Sequence, residues 1–339
     1  MLKKRLFIFF IFTIVSLCLL IYSGPCLKGA KNGIELCFSV VIPSLFSFTV
    51  CALIISESGF IEKLNNKFLY KKDFPIIDAF IFVFSLLGGF PIGAKLINNS
   101  YIKNNITKSK AEAMLSYCVN SGPAFIIVAI GNGILHDKRL GLVLFCANFL
   151  SSSTLFMIIS LLYKGKQKRK RLLIKDKTFA EIFVNSTYEA TKAMGLICAF
   201  VILFSTIIEF LNSMLKPTNI NRIIISLLEI TNGVTMLENI YLIAFLLGFS
   251  GICVHFQVLS MCGAVRIKYI KFLIFRIMHG IMNTAYTFII TTVFKISIST
   301  VSNNNDFSIM FSERSMVFGI IFILLSVAFI CSVNTKNNI

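Results

Sequence analysis

Apolar residues come in blocks of about twenty along most of the chain. The blocks fall at 6–22, 36–56, 78–97, 113–135, 140–163, 190–212, 240–262, 273–295 and 315–333, with a shorter one at 222–237. A helix of about twenty apolar residues covers the hydrocarbon core of a bilayer. The pattern predicts an all-α polytopic membrane protein with about eight transmembrane helices. The first block, behind the basic start MLKKR, reads as an uncleaved span rather than a signal peptide, because the small-residue cleavage pattern is poor.

Two blocks carry their own helix breakers. LLGGFPIGAKLI (86–97) holds Gly88, Gly89, Pro91, Gly93 and Lys95 within eight positions, and 113–135 is broken at Asn120-Ser121-Gly122-Pro123. Loop 57–77 carries Lys63, Lys67, Lys71 and Lys72, and loop 164–177 (KGKQKRKRLLIKDK) has eight basic residues against one aspartate. Basic loops stay in the cytoplasm. Three crossings between those loops would put them on opposite sides, so one block must enter and leave by the same face. The candidates are 78–97, broken at GGFPIG, and 113–135, broken at NSGP, and the lysines that follow favour 78–97 as the re-entrant hairpin. Lys103, Lys108 and Lys110 then stay cytoplasmic too.

The second half answers in kind. SLLEITNGVTML (226–237) reads as a second hairpin, broken at Thr231-Asn232-Gly233, and LLGFSGICVH loosely echoes LLGGFPIGAK, with His255 near the place of Lys95. The halves would have opposite orientation, an inverted-repeat plan. The chain divides into a first span and loop (1–35), a first repeat (36–163), a basic cytoplasmic loop (164–189), a second repeat (190–272) and C-terminal spans (273–339). Both termini are expected in the cytoplasm.

Composition agrees: 56% of the 339 residues are hydrophobic and only 14% charged, against roughly 25% charged in soluble domains. The net charge of +18 sits in short loops, where it sets topology and meets anionic headgroups, so no nucleic-acid partner is expected. The ten cysteines include no C-x-x-C pair and no ligand spacing with histidine, so neither metal nor cofactor is expected.

VIPSLFSF (41–48), GGFPIGAK (88–95), NSGPAFI (120–126), SLLEITNG (226–233) and GFSGICVHFQVLS (248–260) together resemble the YlbJ/SpoVV sporulation integral membrane proteins. That family sits within the group carrying nucleoside-recognition Gate domains. Cys253 departs from the pattern, where a hydroxyl or small residue is usual. The resemblance implies a multi-pass protein of the outer forespore membrane that exports dipicolinate, a small aromatic dianion, from the mother cell.

Candidate substrate-binding residues follow the breaks. Gly89, Pro91 and Gly93 shape the first tip, where a half-helix would begin, and free N–H groups there suit a carboxylate. Lys95 would add a full positive charge. Asn120 and Ser121, and Thr231 and Asn232, offer short polar groups at the other breaks. Glu229 is an acid at membrane depth that could pair with Lys95 or His255, or take a coupling proton. His255 and Gln257 lie two apart, about 200° around a helix, and face one cavity only if the helix is broken nearby.

Transport of a small anionic solute, with a possible coupling ion, is the leading expectation. No G-x-S-x-G, H-E-x-x-H or paired-aspartate signature points to an enzyme, and no G-x-x-x-x-G-K-[ST] points to ATP. A non-transporting sporulation scaffold, or a carrier of a nucleoside-like or other carboxylate solute, is the alternative.

Overall fold

The computed structural model describes residues 2–67, 76–162 and 177–296. Every regular element among them is helical. The basic loop over 163–176, Lys71 and Lys72, the expected span at 315–333 and the C-terminus lie outside the described residues.

α1 (Leu2–Ile21) is followed by α2 (Ser23–Leu36), a π-helical turn (Cys37–Val41) and α3 (Ile42–Glu57), the last three forming one continuous 35-residue rod. The wide turn directly precedes Pro43. Proline donates no hydrogen bond and its ring crowds the carbonyl four residues back, so a wider turn lets the helix continue. The sequence pattern reads 23–35 as loop, because SGPCLKGAKNGIEL is polar and glycine-rich. Instead, Gly29 and Gly33 let α2 lie directly against α9 (Phe179–Met214). A Cβ on Gly29 would stand 2.6 Å from the Ser205 carbonyl, and one on Gly33 2.7 Å from Ile202 Cα. This is the close approach that G-x-x-x-G spacing permits in lipid. Lys28 adds an ion pair with Glu209 at 3.1 Å.

After α4 (Phe60–Lys67), α5 (Ile76–Gly88) and α6 (Phe90–Ile102) form a hairpin of two thirteen-residue helices turned at Gly89. Gly89 has φ +85°, a conformation L side chains resist. Both ends of the hairpin lie on one face. Lys103, just past α6, is 3.0 Å from Glu57, and Lys177, just before α9, is 2.6 Å from the same carboxylate. Lys110 pairs with Asp78 at 2.5 Å. The ends of α3 and α6, the starts of α5 and α9, and the 103–110 turn therefore share a basic face, and 76–102 enters and leaves by it.

The next block crosses in broken form: α7 (Lys108–Met114), a turn running into an unwound stretch over 115–122, then a π-helical segment (Ala124–Ile134). α8 (Lys138–Leu162) returns. From the far end of α9, α10 (Asn219–Ser226) and α11 (Ile230–Met236) make a second, shorter hairpin. α12 (Ile240–Phe249) and α13 (Gly251–Met261) then cross as a helix broken at Ser250, φ +79°, and Gly251, φ +73°. α14 (Tyr269–Val293) completes the described chain.

The order rod, hairpin, broken crossing, long helix thus occurs twice, over 23–162 and over 179–293. The rod ending at Glu57 runs toward the basic face and α9 starts from it, so the two sets are oppositely directed. α14 stands in the second set where α8 stands in the first. Among the described residues five helices are long and apolar enough to cross a membrane. The broken block at 113–135 is not among them, and the block at 6–22 forms α1.

Candidate functional site

Each hairpin tip closes the break of the crossing beside it. At the first, Gly89 packs against Gly122: a Cβ on Gly122 would lie 3.1 Å from the Leu87 carbonyl and 3.2 Å from the Gly89 nitrogen. Gly93 faces the same unwound stretch, and a Cβ there would fall 1.8 Å from the Cys118 carbonyl oxygen. At the second tip the exchange is by hydrogen bonds. The N–H groups of Ile252 and Cys253, freed by the α12–α13 break, donate to the carbonyls of Leu227 and Leu228 at 2.9 and 2.8 Å. Lipid offers no partner for open backbone, so a break persists where protein pairs or packs it.

The two tips meet at one small, half-open cavity of about 40 Å³ lined mostly by buried residues. Gly89, Phe90 and Pro91 line it from the first tip, Gly122 and Phe125 from the first break, and Glu229, Ile230 and Thr231 from the second tip. Val254 and Gln257 come from α13, and Ser44, Ile197 and Val201 from the two rods. The tips differ electrostatically. The start of α6 has no side-chain cap. α11 is capped by Glu229, whose carboxylate accepts from the N–H of Thr231 at 3.0 Å, the N–H of Asn232 at 2.8 Å and Asn232 Nδ2 at 3.0 Å. Asn232 Nδ2 also donates to Ser205 Oγ at 2.8 Å, tying this tip to α9.

The residues singled out from sequence separate into groups. Gly89, Pro91, Glu229, Thr231 and Gln257 line the cavity; Gly93 and Asn232 brace the tips behind it. His255 does not join Gln257. It points to α14, with Nε2 2.8 Å from the Phe249 carbonyl and Nδ1 3.3 Å from the Tyr269 hydroxyl, as 200° of helical separation requires. Lys95 does not line the cavity either. It sits six residues beyond the tip, about 9 Å along the α6 axis, and pairs with Glu189 of α9 at 2.5 Å. Glu229 is a helix cap with backbone partners, and neither Lys95 nor His255 is its partner.

Asn120 and Ser121 belong to a buried polar network behind the first break. Asn120 Nδ2 donates to the Tyr117 carbonyl at 2.8 Å and to Ser85 Oγ at 3.2 Å, while its Oδ1 accepts from Ser152 Oγ at 2.5 Å. Asn148 Nδ2 donates to the Ser121 carbonyl at 3.5 Å, and Ser152 Oγ meets His279 Nε2 at 3.1 Å. Arg276, unnoticed from sequence, anchors this region: Nη1 donates to the Val119 carbonyl and Nη2 to the Ser116 carbonyl, both at 2.5 Å. The guanidinium supplies donors to carbonyls that the unwound backbone leaves open. Its sequence signal is a lone arginine inside the apolar run 273–295. With His279, Asn283, Thr287 and Thr291 it forms a polar stripe down the buried face of α14, while Ile274, Ile277, Ile281 and Phe288 face outward.

No family model matches the chain, and no solved structure matches it. Among curated proteins, the chain is similar to the "Sporulation integral membrane protein YlbJ" of Bacillus subtilis (strain 168), with 23% identity over an alignment that covers 84% of this chain and 81% of that protein. An all-helical, multi-pass architecture and that match agree: over most of its length this chain is similar to a YlbJ-type sporulation integral membrane protein.

Proposed function

We propose that this chain is a sporulation membrane transporter that moves a small anionic solute, dipicolinate, out of the mother cell across the outer forespore membrane. The supporting observation is the convergence of two hairpin tips, the first break and α13 on one small cavity. Broken helices of oppositely directed repeats meeting at a buried point are a recurrent plan for solute sites in secondary transporters. The basic face lies on the cytoplasmic side by the positive-inside rule. The protein carries solute and catalyses no covalent step.

The uncapped start of α6 offers the Phe90 N–H and a positive dipole end to a carboxylate, since Pro91 has no N–H and the Ile92 N–H donates to the Gly89 carbonyl. Glu229 opposes the same cargo. Two unit negative charges 4 Å apart repel by about 4 kcal/mol at an effective dielectric of 20. The solute therefore travels while Glu229 is protonated, which makes a proton the coupling ion. A cavity of about 40 Å³ admits a few waters and excludes a ring bearing two carboxylates, so loading requires one tip to withdraw.

The test is dipicolinate flux in liposomes holding the purified chain. Flux should rise as pH falls, and Gln257→Ala and Thr231→Val should each reduce it at unchanged protein level. Absence of dipicolinate movement by the parent, together with normal dipicolinate in spores of a producing cell lacking the chain, would overturn the proposal.

A further inference from the structure

A second cavity, of about 320 Å³, opens on the basic face between α7, the end of α8 and the start of α14. Its walls mix Lys268 and Lys271 with the rings of Phe272 and Phe275, and Ser116 also lines it. Arg276 lies immediately behind that wall. Its guanidinium donates to the Ser116 carbonyl and its carbon stands 5.6 Å from the centre of the Phe272 ring. Carbonyls hold a guanidinium in place without neutralising it. Arg276 is fully buried, its Nε has no partner, and among the described residues no carboxylate pairs with it. The acid lining the cavity is Glu112, with Lys108 4.0 Å away. Three cations around low-dielectric walls concentrate positive potential in the opening.

We infer that this cavity is a loading site for a small aromatic carboxylate anion, an inference whose transport role rests on the function proposed above. The volume is at the small end of ligand pockets, which run from about 300 Å³. Lysines at the mouth take the carboxylates, and Phe272 and Phe275 flank a ring. The site is joined to the tip cavity by a single stretch of backbone. Leu115 and Ser116 line the loading site, Gly122 lines the tip cavity, and Arg276 grips the carbonyls of residues 116 and 119 between them. Arg276, which lines neither cavity, adds a buried positive charge behind the wall of the loading site.

The experiment titrates dipicolinate and phthalate into the full chain in phosphatidylcholine nanodiscs, and measures flux in liposomes alongside. The variants are Lys268→Gln with Lys271→Gln, and Phe275→Glu, which brings a negative charge into the same wall. The paired lysine variant should bind both probes about tenfold more weakly, with the gap closing at high salt, and should raise the KM of flux while leaving its maximal rate. Phe275→Glu should abolish binding. Unchanged affinity and KM in both variants would overturn the loading site while leaving transport intact. Parental binding that depends on the lysines, without flux, would keep the site and sink the transport reading. If the lysine variant loses only its response to added phosphatidylglycerol, the cavity holds a lipid headgroup and the loading site is refuted.

Discussion

Replacing Gly93 by alanine adds one methyl group at the tightest point between the first hairpin and the first break. An ideal Cβ there falls 1.8 Å from the Cys118 carbonyl oxygen and 2.8 Å from Ser85 Cβ. Ordinary van der Waals separation requires the two backbones to part by about 1.5 Å or more. The obstacle is backbone, so no rotamer change relieves it. Nor is that backbone free to shift, because Arg276 holds the carbonyls of Ser116 and Val119 on either side. Overpacking costs about 1–3 kcal/mol, and this geometry belongs at the upper end. About 3 kcal/mol is a factor of roughly 150 in the equilibrium between docked and undocked tip. The assay is maleimide labelling of the buried Cys118 in membranes, read by peptide mass spectrometry, with thermal stability in detergent beside it. Gly93→Ala should label Cys118 faster and melt earlier. The control is Gly195→Ala on exposed α9, where nothing lies within 4 Å of the new Cβ. It should gain about 0.5–1 kcal/mol from helix propensity. If Gly93→Ala protects Cys118 as well as the parent and melts at the same temperature, the packing of tip against break described here is wrong.

Gly33→Leu should separate α2 from α9, since even its Cβ would meet Ile202 Cα at 2.7 Å; a disulfide introduced between the two helices should form more slowly in that variant. Glu57→Gln removes the carboxylate shared by Lys103 and Lys177. Because these side chains are partly exposed, the loss should stay within about 1 kcal/mol and fade in high salt, as read by thermal melts at two ionic strengths. A double-mutant cycle on Lys95→Met and Glu189→Gln should return a coupling of about 0.5–1 kcal/mol in stability, with dipicolinate flux retained in Lys95→Met. Loss of flux there would return Lys95 to the site.

Much of the architecture is legible in the pattern because its causes are local. Gly89 and Pro91 interrupt a helix wherever it lies, and loop lysines report sidedness, so the shared face of 57, 103 and 177 follows from counting charges. What stays hidden depends on partners. Residues 23–35 look like loop because Gly29 and Gly33 weaken an isolated helix, and only the surface of α9 makes them an asset. Glu189 looks like part of a basic loop, so its pairing with Lys95 has no sequence signal. Arg276 escapes notice because one charge in an apolar run reads as an anomaly until two carbonyls are found facing it. Glu229 is visible as an acid at depth, while its cap geometry depends on where α11 starts.

The polar stripe of α14 bears on how the chain is made. α14 is the least apolar of the five crossing helices, and Arg276, His279 and Asn283 would all meet acyl chains if it entered the bilayer alone. A guanidinium at the centre of a solitary helix costs about 2.5–3.5 kcal/mol at the translocon, and Arg276, the eighth residue of α14, costs less than that. α8 and the broken segment are synthesised earlier and already carry the groups that receive His279 and Arg276, and α12 carries the Ala244 carbonyl that receives Asn283 at 2.7 Å. The polar stripe of α14 is thus satisfied by elements that all precede it in the chain, so its partners exist before it does.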